Sequence, residues 1–240
     1  MKVLAIVRAL NEEAAVASVV RDVRAALPRA DVLVVDDGSR DATGAAARAA
    51  GAEVLRIPRN LGMCAAVQRG YRYALAAGYD AAVQLDGDGQ HRAVDAAALL
   101  AAVGDLGADV VVGSRFLHPG SPGDRSTPAR RVGNRVLSRS LTALSGRRVT
   151  DATSGLRACG PRGIAVFARQ YPRGEVESEA LLVAWRHGLV VAEVPVQMRP
   201  RRAGRSTITS RRSAYYGWRA AMGLVSLAAG RVPAMQREAV

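Results

Sequence analysis

Val83-Gln84-Leu85-Asp86-Gly87-Asp88-Gly89-Gln90-His91 is the stretch on which this chain turns. A short apolar run delivers two carboxylates, one residue apart, into a turn loosened by two glycines. Packing gives no reason for two carboxylates and an amide at the end of a buried strand, since burying an uncompensated charge is costly. Hard oxygen donors at this spacing suit Mg²⁺ or Mn²⁺. Both ions favour carboxylate, carbonyl and water oxygens and are commonly shared with a substrate phosphate. Asp-x-Asp also occurs in calcium loops and ordinary turns, so the motif alone leaves the plain turn open.

On either side of that stretch, short apolar runs alternate with longer helical segments. Residues 3–7, 32–35, 53–57, 81–85 and 109–112 read as strands. Residues 12–27, 41–50, 63–77 and 93–103 read as helices, the first three closed by Pro28, Gly51 and Gly78. Repeated βα units of this size predict an α/β fold, a Rossmann-like, mainly parallel sheet flanked by helices on both faces. Ligands of open parallel sheets bind beyond the carboxyl ends of the strands. That rule gathers Asn11-Glu12, Asp36-Asp37, Asp86 with Asp88, and Ser114-Arg115 along one rim. Three acidic clusters on one rim repel one another unless a cation or a set of sugar hydroxyls lies among them. The convergence favours a binding site over a set of unrelated turns.

Length and charge sharpen this. The chain's 240 residues suit one large domain, or a domain with a small appendage. The formal net charge is +13, but residues 1–120 hold 13 Lys and Arg against 14 Asp and Glu, while residues 121–240 hold 21 against 7. The second half therefore carries a basic field that attracts phosphates, anionic lipid or nucleic acid. Lys2 is the only lysine, so the choice of arginine at any one site follows a chain-wide bias. Cys64 and Cys159 are the only cysteines, which argues against a disulfide framework and for small buried residues in a reducing, cytoplasmic compartment. Charges at Arg8, Glu12 and Glu13 interrupt any signal-peptide pattern, and the apolar run 220–230 is too short to span a bilayer.

Arg199, Arg201, Arg202, Arg205, Arg211 and Arg212 lead into Tyr215, Tyr216, Trp218, Met222, Leu224, Val225 and Leu227. A basic stretch running into an aromatic and apolar helix predicts peripheral attachment to an anionic membrane surface, at the inner face of the cell membrane. Packing on the domain or in a homodimer is the competing use of that helix. The expected organisation is a domain over 1–208 and a basic amphipathic helix with its tail over 209–240. Nucleic acid is not an expected partner: no binding module is recognisable, and the acidic rim opposes it.

Several motifs occur in a fixed order: Asn11-Glu12-Glu13, Val35-Asp36-Asp37-Gly38-Ser39-Arg40-Asp41, Asn60-Leu61-Gly62, Asp86 to His91, Gly113-Ser114-Arg115, and Thr150 to Arg157. Together they resemble the inverting GT-A glycosyltransferases of family 2, in the dolichol- or polyprenol-phosphate mannose synthase branch, over residues 1–207. The resemblance implies a donor-binding set of Arg8, Leu10, Glu12, Val35, Asp37, Asp86, Gly87, Asp88, Gln90 and Arg115. Within it, Glu12 and Asp37 hold base and ribose, and Asp88 and Gln90 hold the divalent metal, Mg²⁺ or Mn²⁺, that bridges the diphosphate. It also implies a catalytic set of Asp88, Arg115 and Arg202, the last in a loop with Gly204 and Ser206 that closes over the site. The chain departs from the family pattern at Arg8 and Leu10, at Cys64, at Arg92-Ala93 and at Thr207, where a lysine is usual.

These readings converge on a metal-dependent hexosyltransferase. The expected donor is a nucleotide diphosphate sugar of the GDP-mannose or UDP-glucose type. The expected acceptor is polyprenyl or dolichyl phosphate, or another anionic acceptor. A hydroxyl acceptor would instead require a carboxylate base, with Glu177, Glu179 and Asp151 as candidates. A sugar nucleotidyltransferase fits less well, because residues 7–11 (Val-Arg-Ala-Leu-Asn) lack a glycine- and lysine-rich phosphate loop. A non-catalytic nucleotide-sugar binder fits poorly with Asp86, Asp88 and Gln90 all present.

Overall fold

The computed structural model describes residues 1–117, 128–172 and 178–200. The apolar run of β1 (Val3–Ala9) lies between two parallel neighbours, β2 (Ala30–Asp36) and β4 (Ala81–Asp86). β3 (Glu53–Arg56) extends the sheet outside β2. Beyond β4 come β6 (Arg157–Cys159), β5 (Val110–Ser114) and β7 (Val191–Pro195), giving seven strands in the order β3-β2-β1-β4-β6-β5-β7. Among them only β6 is antiparallel, to both β4 and β5. The sheet is thus mainly parallel, as expected, with one reversed strand at its centre.

Both faces are buried, which is why the strands are nearly unbroken apolar runs. Alternation divides them: Val3, Ala5 and Val7 enter one core, while Leu4 and Ile6 enter the other. α1 (Val16–Ala26), α2 (Thr43–Ala49) and α4 (Ala93–Asp105) cover the first face; α3 (Met63–Ala76), α6 (Pro161–Arg169) and α7 (Ser178–Arg186) cover the second. α5 (Pro128–Ser145) packs Leu141 into the second core.

The expected helix over 12–27 begins only at Val16. Residues 12–15 form a turn in which the Glu12 carbonyl accepts from Ala15 and Val16, while the Glu12 N–H donates to the Thr43 hydroxyl at 2.8 Å. β6 and β7 were not legible as strands: three residues are too few for an alternation signal, and β7 is only half-buried. The boundary at 208/209 and the basic C-terminal helix fall outside the described residues. No helix among the described residues is long and apolar enough to cross a membrane.

Candidate active site

The strand order reverses beside β1, whose neighbours β2 and β4 lead away in opposite directions. In an open α/β sheet that crevice is where ligands sit. Register sets the side chains around it, with Ala9 opposite Asp36 and Arg8 opposite both Val35 and Asp86. The Arg8 guanidinium accordingly meets Asp86 at 2.7 Å.

Backbone amides organise most of this acidic rim. Asp36 accepts the Ser39 N–H at 2.9 Å, closing the turn after β2. Asp37 accepts from Leu61 at 2.8 Å and Gly62 at 3.0 Å, drawing the Asn60-Leu61-Gly62 loop over the strand end. Burial raises the Asp37 carboxyl above its usual range, against the opposing pull of those two N–H groups and of Arg8. Gly38 has φ +76°, and a side chain there would put Cβ 2.6 Å from the Asn60 nitrogen. Asn11, the one non-glycine residue with positive φ among the described residues, ties the loops after β1 and β2 together. It donates its N–H to Ser39 Oγ and accepts the Arg40 N–H, both at 2.9 Å.

The turn after β4 is held just as closely. Asp88 is 6 % exposed and accepts the Gln90 N–H at 2.9 Å. The Asp86 N–H donates to His91 Nδ1 at 3.1 Å, so the neutral ring carries its proton on Nε2. His91 also bridges to Met198, and the Arg199 N–H donates to the Gln90 carbonyl at 2.9 Å. His91 is therefore a bracing residue of this turn.

Across the sheet, the antiparallel course of β6 brings residues 151–155 to the same rim. Arg115, just beyond β5, donates from Nε to Asp151 Oδ2 at 2.6 Å and from Nη2 to Asp151 Oδ1 at 2.8 Å. It also reaches Thr153 Oγ1 at 2.7 Å. Asp151 is fully buried, so the pair is bidentate and shielded from water. The backbone of this loop is fixed from β7: Glu193 accepts the N–H groups of Thr150 and Asp151 and, at 2.8 Å, the Thr150 hydroxyl. From α5, Asn134 donates to the Thr150 carbonyl at 2.9 Å.

The rim thus carries Asp36-Asp37, Asp86, Asp88 and a locked arginine on a βα scaffold. The sequence model described as Glycosyl transferase family 2 matches residues 5–160. The chain belongs to glycosyl transferase family 2. It is 31 % identical to polyprenol monophosphomannose synthase of Mycolicibacterium smegmatis, over 87 % of this chain and 81 % of that protein. It is 32 % identical to undecaprenyl-phosphate mannosyltransferase of Micrococcus luteus, over 87 % and 88 % of the two chains. A third relative, UDP-N-acetylglucosamine–dolichyl-phosphate N-acetylglucosaminyltransferase of Methanococcus voltae, is 32 % identical over 80 % and 83 %. The fold is shared with glucosyl-3-phosphoglycerate synthase of Mycobacterium tuberculosis, solved with Mn²⁺, UDP-glucose and phosphoglyceric acid. The TM-score is 0.70 at 24 % identity, covering 97 % of this chain and 81 % of that one. The protein is a family 2 glycosyltransferase of the GT-A fold, an enzyme whose curated relatives transfer sugars to polyprenyl phosphates.

Of the residues read from the sequence, the fold brings Arg8, Leu10, Glu12, Asp37, Asp86, Gly87, Asp88, Gln90 and Arg115 to one rim. Val35 is fully buried in the core, so its side chain supports the floor beneath Arg8 instead of offering a contact surface. Glu179 lies in the first turn of α7. Arg202 and Glu177 fall outside the described residues. Thr150 and Thr153 entered only as members of the Thr150 to Arg157 motif, with no role of their own; Glu193 sits in a plain Val-Ala-Glu-Val-Pro run, and nothing local marks it.

Among the described residues no three His, Cys, Asp or Glu side chains cluster as a metal cage. The donors that are present still fit a divalent cation. Asp88 and Gln90 offer a carboxylate and an amide oxygen, and Mg²⁺ in phosphate sites takes one or two carboxylates and leaves the rest to phosphate and water.

Proposed function

We propose that this enzyme moves a hexose, with inversion, from a GDP-mannose- or UDP-glucose-type donor to polyprenyl or dolichyl phosphate. The observation that carries this reading is the rim itself, which gathers carboxylates at the β1/β4 crevice and an arginine immobilised at the end of β5 on one edge of the sheet. The names of three relatives at 31–32 % identity support the lipid-phosphate acceptor.

The chemistry asks little of a base. A phosphate monoester is largely ionised near neutral pH, its second pKa being about 6. Its oxygen attacks the anomeric carbon, and the bond to the diphosphate breaks with its electron pair. Asp88 and Gln90 would hold Mg²⁺ or Mn²⁺, which when bound offsets the charge growing on the departing diphosphate. Arg115 contributes fixed positive charge, and because Asp151 already orients it, no reorganisation is needed as that charge develops. Glu12 and Asp37 would hold base and ribose, Arg8 would keep Asp86 oriented towards the donor, and Arg202 would close the site. Residues 199–229 would hold the enzyme at the anionic inner face of the cell membrane.

The test is a transfer assay with GDP-mannose and UDP-glucose against polyprenyl phosphate, with Mn²⁺ and with chelator. A lipid-linked hexose formed only with metal is expected. Transfer from either donor to a hydroxyl acceptor, with none to polyprenyl phosphate, would overturn the reading. In that case a base is required, and Glu177→Gln or Glu179→Gln should cost on the order of 10²-fold, whereas a phosphate acceptor tolerates both changes. Asp151 is spent on Arg115 through both oxygens. Flotation with anionic liposomes, for the intact protein and for a form lacking residues 211–240, tests the membrane site. Loss of folding or of a dimer on truncation would indicate a packing helix instead.

A further inference from the structure

Past the end of β7 the chain runs on as a strap, residues 196–199, beyond the carboxyl ends of the strands. These four residues touch both halves of the rim. The Val196 N–H donates to the Ser114 carbonyl at 2.9 Å, and the Val196 side chain is buried in the first core. Met198 forms the bridge to His91, and Arg115 Nη1 approaches its sulfur at 3.6 Å. The Arg199 N–H donates to the Gln90 carbonyl at 2.9 Å. One short segment therefore ties the turn after β4 to the arginine after β5. The strap is itself held from outside the rim, at the start of α4. The Gln197 N–H donates to Asp95 Oδ2 at 3.0 Å, and Gln197 Oε1 accepts from Arg92 Nη1 at 2.6 Å. Arg92 and Asp95 also pair at 3.9 Å, closing a three-residue clamp. Arg92 is a position at which the chain departs from the family pattern, and the proposed chemistry gives it no part.

We infer that Gln197 and Arg92 are positioning residues for transfer, acting through the strap. The inward bonds of the strap go to the main chain of Gln90 and Ser114, so a shift of residues 197–199 moves the Gln90 backbone and the Met198 sulfur together. Gln90 is a metal donor in the proposed function, and groups that orient metal donors from outside are commonly worth 10- to 100-fold in metal affinity or activity. Gln197 is exposed. Surface contacts of this kind add little to folding stability, so the clamp acts on geometry more than on the fold. The role of the clamp rests on the proposed use of Asp88 and Gln90 as metal donors.

Binding of Mn²⁺ to the full-length protein in the presence of GDP or UDP, followed by electron paramagnetic resonance, reads the turn after β4 without turnover. Gln197→Ala and Arg92→Ala should each weaken Mn²⁺ binding by about tenfold, the lower end of the range for such outer partners. Each should also lower kcat for transfer by about tenfold while leaving the KM for polyprenyl phosphate unchanged. The double variant should be no worse than either single one, because both changes remove the same contact. Melting temperatures should stay close to that of the wild type. Wild-type Mn²⁺ affinity in both single variants, additive losses in the double variant, or losses that track a lowered melting temperature would each overturn the role of the clamp. If the wild-type protein binds no Mn²⁺ with either nucleotide, the proposed metal site falls and this role falls with it. Mn²⁺ binding that weakens on removal of the clamp, in a protein that transfers no sugar to polyprenyl phosphate, upholds the clamp and overturns only the proposed acceptor.

Discussion

The two halves of the rim hold charge in opposite ways. At β1, β2 and β4, three carboxylates are held by main-chain N–H groups: Asp36 by Ser39, Asp37 by Leu61 and Gly62, and Asp88 by Gln90. At β5, β6 and β7, one guanidinium is clamped by a fully buried carboxylate whose own backbone is held by Glu193. Dipoles steady an anion without cancelling its charge, so the first half stays receptive to a cation. A bidentate ion pair fixes the position of the guanidinium, whose Nη2 also reaches Thr153 Oγ1 and whose Nη1 approaches the Met198 sulfur at 3.6 Å. One half presents carboxylates steadied by main-chain dipoles, and the other presents an arginine held in fixed geometry by a carboxylate.

The contrast breaks most sharply at Asp88. Asp88→Ala should lower transfer by about 10³-fold, the scale of losing a preorganised electrostatic group, and abolish the metal dependence of nucleotide binding. Circular dichroism should be unchanged. Near-normal turnover in a metal-titrated assay would remove the carboxylate half from the mechanism.

Stability, more than chemistry, reports on the other half. Asp151→Ala strands Arg115, whose side chain is 15 % exposed, and should cost about 3–5 kcal/mol in urea unfolding. Glu193→Gln keeps the shape but not all three bonds, and a loss of about 1–2 kcal/mol is expected. If both variants unfold at the wild-type urea concentration, the arginine lock is not structural and the two halves are alike. Gly38→Ala belongs to the first half: at φ +76°, with Asn60 against it, it should cost about 1–2 kcal/mol and weaken nucleotide binding. A wild-type melting temperature for this variant would show that the 60–62 loop yields freely.

The mildest effect concerns Cys159, beneath the junction of the two halves. Its thiol contacts the Tyr71 hydroxyl at 3.3 Å, and burial pushes its pKa up to about 12. It stays protonated near pH 8, so labelling by a thiol reagent should proceed only as fast as the protein opens. Rapid labelling of the native protein would mean that the antiparallel centre of the sheet is loose.

How much of this was legible depends on range along the chain. Asp36 to Ser39 and Asp86 to His91 are self-contained turns, whose carboxylate, glycine and amide bonds close within five residues. Patterning was likewise sufficient for the βα order, because a strand buried on both faces has to be apolar along its length. The Arg115 lock spans 36 residues to Asp151, and Glu193 acts from 42 residues beyond that. No local pattern links them, since β6 carries only three residues and gives no sign of running against its neighbours. By itself the sequence determined the alternating fold, the acidic rim and the family. The tertiary structure alone decided which acid holds the arginine and that Val35 lies under the site. Hydrogen bonds and burial between distant segments exist only once the sheet has set their register.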